Sequence, residues 1–354
     1  MKAALLIPIY EPGAEVLPFL KTFKEGDFDA FLVVNDGSKS EYDPVFESIQ
    51  QETIFDVVGY PENKGKGFAL KTGYAKLLEL HPNLDYIITA DGDGQHTYED
   101  ILKVKQAAEE SEGSLVLGQR DFSSKEIPLR SRFGNHFSAW YFKLATKKKV
   151  GDTQTGLRAI PSSLFELALQ TKGSRYEYEM SFLMDASRET DVKLVPISTL
   201  YETKNPTSHF RPIRDSLRIY RSPILYGIAS LGSWGIDLLL FYLLSTYVFA
   251  FSAEAQVFAS SWIARVASGL FNFFFLNFVA FQNYGGLGKK ALKYALLWVI
   301  NIAISSVLTY LFEFLPLGLT FIKFIIDTVI AIANYFINLG WVFARKKRKG
   351  KSHG

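Results

Sequence analysis

The amino-acid sequence predicts an α/β domain on a mostly parallel sheet, joined to an all-α domain of four membrane-spanning helices. Three features carry that expectation. Strand-like and helix-like segments alternate through the first part of the chain, acidic turns close three of the strands, and four long apolar runs fill the remainder.

The candidate strands are Ala4–Ile9, Ala30–Val34, Phe55–Tyr60, Tyr86–Ala90 and Ser114–Gly118. Between them Tyr42–Gln51, Gly67–Leu80 and Glu99–Glu110 carry helical spacing. Strand, helix, strand in this rhythm implies a parallel sheet covered on both faces. Polar tips follow the strands: Tyr10–Glu11, Asn35-Asp36-Gly37-Ser38 and Asp91-Gly92-Asp93. Open α/β sheets bind ligands along that edge, so the three acid-bearing tips point to one crevice. Ala3–Tyr10 reads as a first strand, because it is too short for a signal-peptide core and lacks a small-residue cleavage site.

The apolar runs are approximately Pro223–Phe251, Val257–Phe281, Ala291–Phe314 and Leu319–Phe343, and each meets the requirement of about 20 residues for a span. Arg211, Arg214, Arg218 and Arg221 precede the first, Lys289, Lys290 and Lys293 separate the second from the third, and Arg345-Lys346-Lys347-Arg348 follows the fourth. The other two loops hold no Lys or Arg, so the basic loops and both termini are expected on the cytoplasmic side of the cell (inner or plasma) membrane. The expected divisions are 1–207 for a cytosolic catalytic domain, 208–222 for a basic juxtamembrane helix, 223–344 for the spans and 345–354 for a basic tail. The four arginines of the linker share one helix stripe, suited to anionic headgroups or a lipid phosphate, or serving topology alone. Asp237, Arg265, Lys323 and Asp327 lie inside spans, where Asp237 and Arg265 are placed to pair. An internal echo, Asn272-Phe-x3-Asn277-x3-Phe281 against Asn334-Tyr-x2-Asn338-x4-Phe343, suggests a repeated two-helix unit, with the asparagines as glue between helices or as a path for a headgroup.

Among 354 residues the net charge is only +3, which gives no electrostatic argument for nucleic acid, and the absence of Cys excludes disulfides and thiolate metal sites. The strongest chemical signal is Asp91-Gly92-Asp93 directly after Tyr86–Ala90. Two carboxylates one residue apart at a strand end suit a hard cation, Mg²⁺ or Mn²⁺, which bridges a diphosphate and offsets charge on a leaving nucleotide. Gln95 and His96 follow closely enough to complete its shell. Asn63-Lys64-Gly65-Lys66-Gly67 opens a helix and suits an anion, although the pattern of a Walker loop is missing.

Ile7-Pro8-Ile9-Tyr10, Val34-Asn35-Asp36-Gly37-Ser38, Asn63-x-Gly-Lys-Gly-x-Ala-Leu70 and Asp91-Gly-Asp-Gly-Gln95-His96 together resemble glycosyltransferase family 2, in its polyprenyl-phosphate (dolichol-phosphate mannosyltransferase-like) branch. Gly118-Gln-Arg120, Asp152-Thr-Gln-Thr-Gly-Leu-Arg158 and Val195-Pro-Ile197 continue the likeness. The four-span part looks like a GtrA-like membrane module. The resemblance implies a GT-A (Rossmann-like) fold, with Pro8, Tyr10, Glu11, Asp36, Lys66, Asp91 and Asp93 on the nucleotide sugar. It places Asp91, Asp93 and Gln95 on the metal, and Arg120, Arg130, Arg132, Arg158 and Arg211 on a lipid phosphate, with Asp93 and Arg120 central to catalysis. The family usually has Asn where Glu11 stands, often Asp at Asn35, and larger residues at Gly92 and Gly94. The implied reaction is inverting transfer of a hexose from a nucleotide sugar of GDP-mannose or UDP-glucose type to dolichyl or undecaprenyl phosphate, in a membrane protein that can assemble as a homo-oligomer. An ionised acceptor phosphate needs no general base; Glu177 and Glu179 are the nearest candidates otherwise, and a structural role for them is favoured. Two alternatives stand beside it. A processive polysaccharide synthase is disfavoured because no Trp follows an Arg, and a glycolipid flippase would leave the soluble part regulatory.

Overall fold

The computed structural model describes residues 1–111, 113–121, 129–198, 212–248, 253–282, 285–312 and 319–343. The chain forms two compact units, Met1–Ile219 and Tyr220–Gly354.

The first unit is built on a sheet of seven strands: β1 (Ala3–Ile9), β2 (Ala30–Asn35), β3 (Asp56–Gly59), β4 (Tyr86–Thr89), β5 (Leu115–Arg120), β6 (Arg158–Pro161) and β7 (Val192–Ile197). Their order is β3-β2-β1-β4-β6-β5-β7. Pairing is parallel except where β6 runs antiparallel between β4 and β5. The five strands expected from sequence are present; β6 and β7 are additions. All seven residues of β1 are buried. A continuous apolar run, rather than alternation, is what a strand covered on both faces requires.

The helices α1 (Val16–Leu20), α2 (Asp43–Glu52) and α4 (Tyr98–Glu109) lie over one face, where Phe23, Phe28, Phe31 and Phe55 pack edge to face or tilted. The other face carries α3 (Lys66–Leu80), α6 (Phe165–Gln170), α7 (Glu177–Glu189) and Phe142 of α5 (Leu129–Thr146). A last helix of this unit, α8 (Pro212–Ile219), packs through Ile219 on the same core. Along α3 the buried residues Gly67, Leu70, Gly73, Tyr74 and Leu77 trace one stripe, which sets that helix against β1 and β2. A Cβ on Gly73 would come within 2.3 Å of Leu6 Cδ1, and Leu6 is itself fully buried.

The second unit holds α9 (Arg221–Leu243), α10 (Ala253–Phe275), α11 (Leu287–Leu311) and α12 (Leu319–Ile337). A π-turn extends α9 at Leu244–Val248, α10 at Leu276–Ala280 and α12 at Asn338–Val342. Three stretches of the described residues are long and apolar enough to cross a membrane: Arg221–Val248, Ala259–Ala280 and Phe324–Val342. The 25-residue α11 fills most of the remaining apolar run of the sequence. Asp237 and Arg265 pair at 3.6 Å, with Ser268 donating to Asp237. Asp327 accepts from Ser305 at 2.5 Å. The side chain of Lys323 lies outside the described residues.

Gly73→Ala is expected to destabilise the first unit. Alanine gains about 1 kcal/mol in helix propensity, but the overlap with Leu6 costs about 1–3 kcal/mol, and the second term wins. A lower unfolding midpoint of the full chain in detergent checks this.

Candidate active site

The sheet changes direction between β1 and β4, since β2 and β3 extend to one side of β1 and the later strands to the other. A crevice opens there at the strands' carboxyl ends, the place such sheets bind ligands. Its volume is about 770 Å³. Pro8, Tyr10 and Glu11 reach it from β1, Asp36 from β2, Asp91 and Asp93 from β4, and Lys66 from the start of α3. The structure thus gathers all seven residues expected at the nucleotide sugar into one cavity.

The centre of the crevice is a half-buried ion cluster. Lys66 Nζ stands 2.6 Å from Asp91 Oδ1 and 2.9 Å from Glu179 Oε1. Burial works against the ammonium, but the two carboxylates outweigh it and hold its pKa above the ordinary lysine value. Burial likewise opposes the Asp91 carboxylate, and Lys66, followed by His96, more than reverses this and pulls its pKa well down. His96 is buried, with Nε2 3.5 Å from Asp91 Oδ2. Asp93 behaves in the opposite way. Burial first, and then the charge of Asp91, raises its pKa, although the Gln95 backbone N–H donates to Oδ1 at 3.1 Å. The expected metal ligand Gln95 therefore meets the acid pair through its main chain. Tyr176, on the rim, is pushed up to about 12 by burial.

Among the described residues no group of three or more His, Cys, Asp or Glu forms a metal cage. The acid pair still suits a hard divalent ion, because Mg²⁺ characteristically takes one or two carboxylates and completes its shell with substrate phosphates and water. The buried ammonium between Asp91 and Glu179 shows that this point of the crevice requires positive charge.

Asp36 lines the crevice and also braces the loop beside it. Its Oδ1 accepts from the Tyr60 hydroxyl at 2.6 Å and from the N–H groups of Lys64 and Gly65 at 3.1 and 3.0 Å. Its Oδ2 accepts from Asn63 Nδ2 at 3.0 Å. With those bonds made, Asp36 holds the Asn63–Gly65 loop in place, and Oδ2 carries only the Asn63 bond.

Of the arginines expected on a lipid phosphate, the three with described side chains, Arg120, Arg132 and Arg158, do not line the crevice. Arg120 forms a two-pronged pair with Asp152, at 2.6 Å from Nε and 3.2 Å from Nη2. Arg158, 3% exposed, spends its guanidinium on the carbonyls of Thr155, Glu179 and Thr153. It braces the start of β6 against α7, and its guanidinium is taken up by main-chain carbonyls instead of the phosphate expected there. Arg132 is half-buried on α5. The side chain of Arg130 and all of Arg211 lie outside the described residues.

Other arginines do line it. Arg214 and Arg218 of α8 line the crevice together with Arg175, and Asp215, 5% exposed, holds Arg218 at 3.5 Å. Two of the four linker arginines therefore face the crevice instead of forming only a juxtamembrane stripe. Gly156 was also missed: a Cβ there would lie 2.3 Å from Asp91 Oδ1. Its carbonyl accepts from the Thr89 hydroxyl at 2.8 Å, which fixes that close approach.

The sequence profile described as Glycosyl transferase family 2 matches residues 5–166. An uncharacterized protein of Methanocaldococcus jannaschii is 30% identical over 202 residues, covering 56% of this chain and 81% of that protein. The chain belongs to glycosyltransferase family 2. A UDP-N-acetylglucosamine–dolichyl-phosphate N-acetylglucosaminyltransferase of Methanococcus voltae is 29% identical over 215 residues, which is 56% of this chain and 85% of that enzyme. Among solved structures, glucosyl-3-phosphoglycerate synthase of Mycobacterium tuberculosis, in complex with Mn²⁺, UDP-glucose and phosphoglyceric acid, is 17% identical with a TM-score of 0.48, covering 63% of this chain and 77% of that one. This family 2 glycosyltransferase thus combines a nucleotide-sugar enzyme unit with a helical unit containing three membrane-competent stretches.

Because the Asp93 pKa is raised in the folded state, its charged form is a cost to folding at neutral pH. That cost fades as the pH falls through the raised pKa. In EDTA, Asp93→Asn is therefore expected to have a higher Tm than the wild type at pH 7.5, and the gap should narrow toward pH 5. A thermal-melt series across that range tests the sign.

Proposed function

We propose that the enzyme transfers a sugar, with inversion and with a divalent cation, from a nucleotide sugar to the phosphate of a polyprenyl phosphate. The observation that carries this is the half-buried Asp91–Asp93 pair at the carboxyl edge of β4, facing a crevice lined by Lys66, Arg175, Arg214 and Arg218. Acidic and basic groups face the same space, as two phosphorylated substrates and a cation require. The dolichyl-phosphate acceptor named for the Methanococcus voltae relative supports a polyprenyl acceptor, and its UDP-sugar donor favours a uridine nucleotide over GDP-mannose. Arg214 and Arg218 sit on α8, which ends one residue before α9, the first membrane-competent helix. That adjacency suits an acceptor whose phosphate arrives from a lipid surface.

Asp91 and Asp93, assisted by Gln95, would hold Mg²⁺ or Mn²⁺, which when bound offsets the charge of the leaving nucleoside diphosphate. The chain's own residues do the rest. Arg214, Arg218 and Arg175 hold an acceptor phosphate oxygen in line with the anomeric carbon. That oxygen forms the new C–O bond while the bond to the diphosphate breaks and its electron pair leaves with the nucleotide. The acceptor is already ionised near neutral pH, so no base is needed. Glu179 fits that view, since its carboxylate is held by the Lys66 ammonium at 2.9 Å. Arg120, paired with Asp152, serves as a positioning residue at the end of β5.

The helical unit is proposed as a GtrA-like anchor of four spans, with the catalytic unit and both termini cytoplasmic. Its domains follow the composition change near Pro223, and a homo-oligomer is compatible with it.

Purified full-length protein in detergent is expected to move radiolabel from a UDP-sugar to polyprenyl phosphate only with Mg²⁺ or Mn²⁺. Asp93→Ala should reduce that rate roughly 10²–10³-fold. A panel of UDP- and GDP-sugars that yields no lipid-linked product with either ion would refute the proposal.

A further inference from the structure

Lys66 is the one lysine of the Asn63–Gly67 loop that turns inward, and it does so onto the acid the divalent cation needs. It bonds Asp91 Oδ1 at 2.6 Å and is 18% exposed in its side chain, against 69% for Lys39 on the same crevice. Lys64 instead lies over the rings of Tyr60 and Phe68. Glu179 accepts from Lys66 at 2.9 Å from the opposite side, and its own backbone carbonyl is clamped by Arg158 Nη1 at 2.9 Å. The ammonium therefore stands between a carboxylate fixed on α7 and a carboxylate at the tip of β4. We propose that Lys66 is a tethered cation that satisfies Asp91 while the donor crevice is empty, yields Asp91 to the divalent ion on loading, and stays on Glu179 with its freed hydrogen-bonding capacity turned to the donor diphosphate.

Two physical points support this exchange. An ammonium at 2.6 Å and a divalent ion at about 2.1 Å on the same carboxylate would stand within a few ångströms of each other and repel, so loading the ion favours moving Lys66 off Asp91. Displacement leaves Lys66 charged and buried, a condition tolerated only next to another anion, and Glu179 is that anion. The latch thus keeps the empty crevice electrically balanced. It also makes the bare enzyme a weak metal binder, so that cation and nucleotide diphosphate are favoured to enter together. The inference rests on the metal-dependent function proposed above.

The test is Mn²⁺ binding to the full chain in detergent without nucleotide, read from the electron paramagnetic resonance of free Mn²⁺. Lys66→Met and Lys66→Met/Glu179→Gln are expected to bind Mn²⁺ ten-fold or more tightly than the wild type, the double variant excluding a gain due only to a bared Glu179. Lys39→Met, which removes a crevice lysine that touches Glu11 and not Asp91, is expected to stay within about two-fold. Lys66→Gln, neutral but still polar, supplies the same comparison where the methionine variant does not fold. Unchanged or weaker Mn²⁺ affinity in the neutral Lys66 variants, with UDP-assisted Mn²⁺ binding intact in the wild type, overturns the latch and leaves the proposed function standing. Absence of Mn²⁺ binding in every protein, with or without UDP, overturns both.

Discussion

The contact of Lys66 with Asp91 and Glu179 is the constraint on which the catalytic unit depends, because it joins three separate pieces of chain through buried charge. Asp91 belongs to the tip of β4, Lys66 to the first turn of α3, and Glu179 to the first turn of α7. Burying such charges is costly unless each is paired, so the three elements must arrive in fixed relation. Supporting contacts sit around the cluster. Asp36 holds the loop that leads into Lys66, Arg158 clamps the main chain at Glu179, and glycine at 156 lets the chain pass against Asp91. Two of the three acidic strand tips thus differ in what they hold: Asp36 fixes backbone, while Asp91 pairs with the Lys66 ammonium.

That division marks where the sequence was legible. The apolar strands were plain because strands buried on both faces read as unbroken Val, Ile and Leu, as in β1 and β2. The sheet edge was plain because polar tips follow those runs. β6 was not, since four residues beginning with Arg158 and ending with Pro161 carry neither alternation nor an apolar run. β7 was quoted only as a sequence likeness; Val192–Ile197 is partly exposed, with a lysine and a proline, and its strand character comes from pairing with β5. At Glu11 the sequence recorded a departure from the usual Asn, and the backbone supplies the reason that Asn is usual. Its φ is 48°, in the left-handed region that Asn tolerates best, and here Glu11 occupies it with its N–H on Ser38 and its carboxylate on Lys39.

The arginines show the converse limit. Residue type and family likeness attached five of them to one phosphate, but a guanidinium has five donors and many possible acceptors, so its role is set by what surrounds it. Arg158 meets three main-chain carbonyls, and Arg120 meets a buried aspartate. Of the three arginines that line the crevice, Arg214 and Arg218 come from a helix whose 3–4 spacing was visible and whose docking was not, and Arg175 comes from the turn before α7. The high polarity of α8, combined with its position just before a membrane-competent helix, reads as headgroup contact; only the packing of Ile219 and the burial of Asp215 turn it toward the crevice.

In the helical unit the echo of Asn and Phe acquires a physical meaning. Both α10 and α12 end in a π-turn, closed by the Phe281 N–H donating to the Leu276 carbonyl at 2.9 Å and the Phe343 N–H donating to the Asn338 carbonyl at 2.8 Å. The two phenylalanines stack on each other with centroids 5.0 Å apart. Their neighbours match as well: Tyr226 meets Tyr335 at 5.4 Å, and Tyr294 meets Phe273 at 5.5 Å. A contact between equivalent residues, flanked by two equivalent pairs, is what a two-fold relation between α9–α10 and α11–α12 produces. Wide turns are costly in isolation and persist where packing demands them. Here they end their helices so that the two rings face one another. The asparagines then act as glue: Asn277 accepts from Lys290 at 3.1 Å, and Asn272 donates to the Ala229 carbonyl at 3.4 Å. Both bonds join different helices, Asn277 from the π-turn and Asn272 from the last α-helical turn of α10, so these polar side chains hold the unit together on either side of the point where its backbone departs from the α-helix.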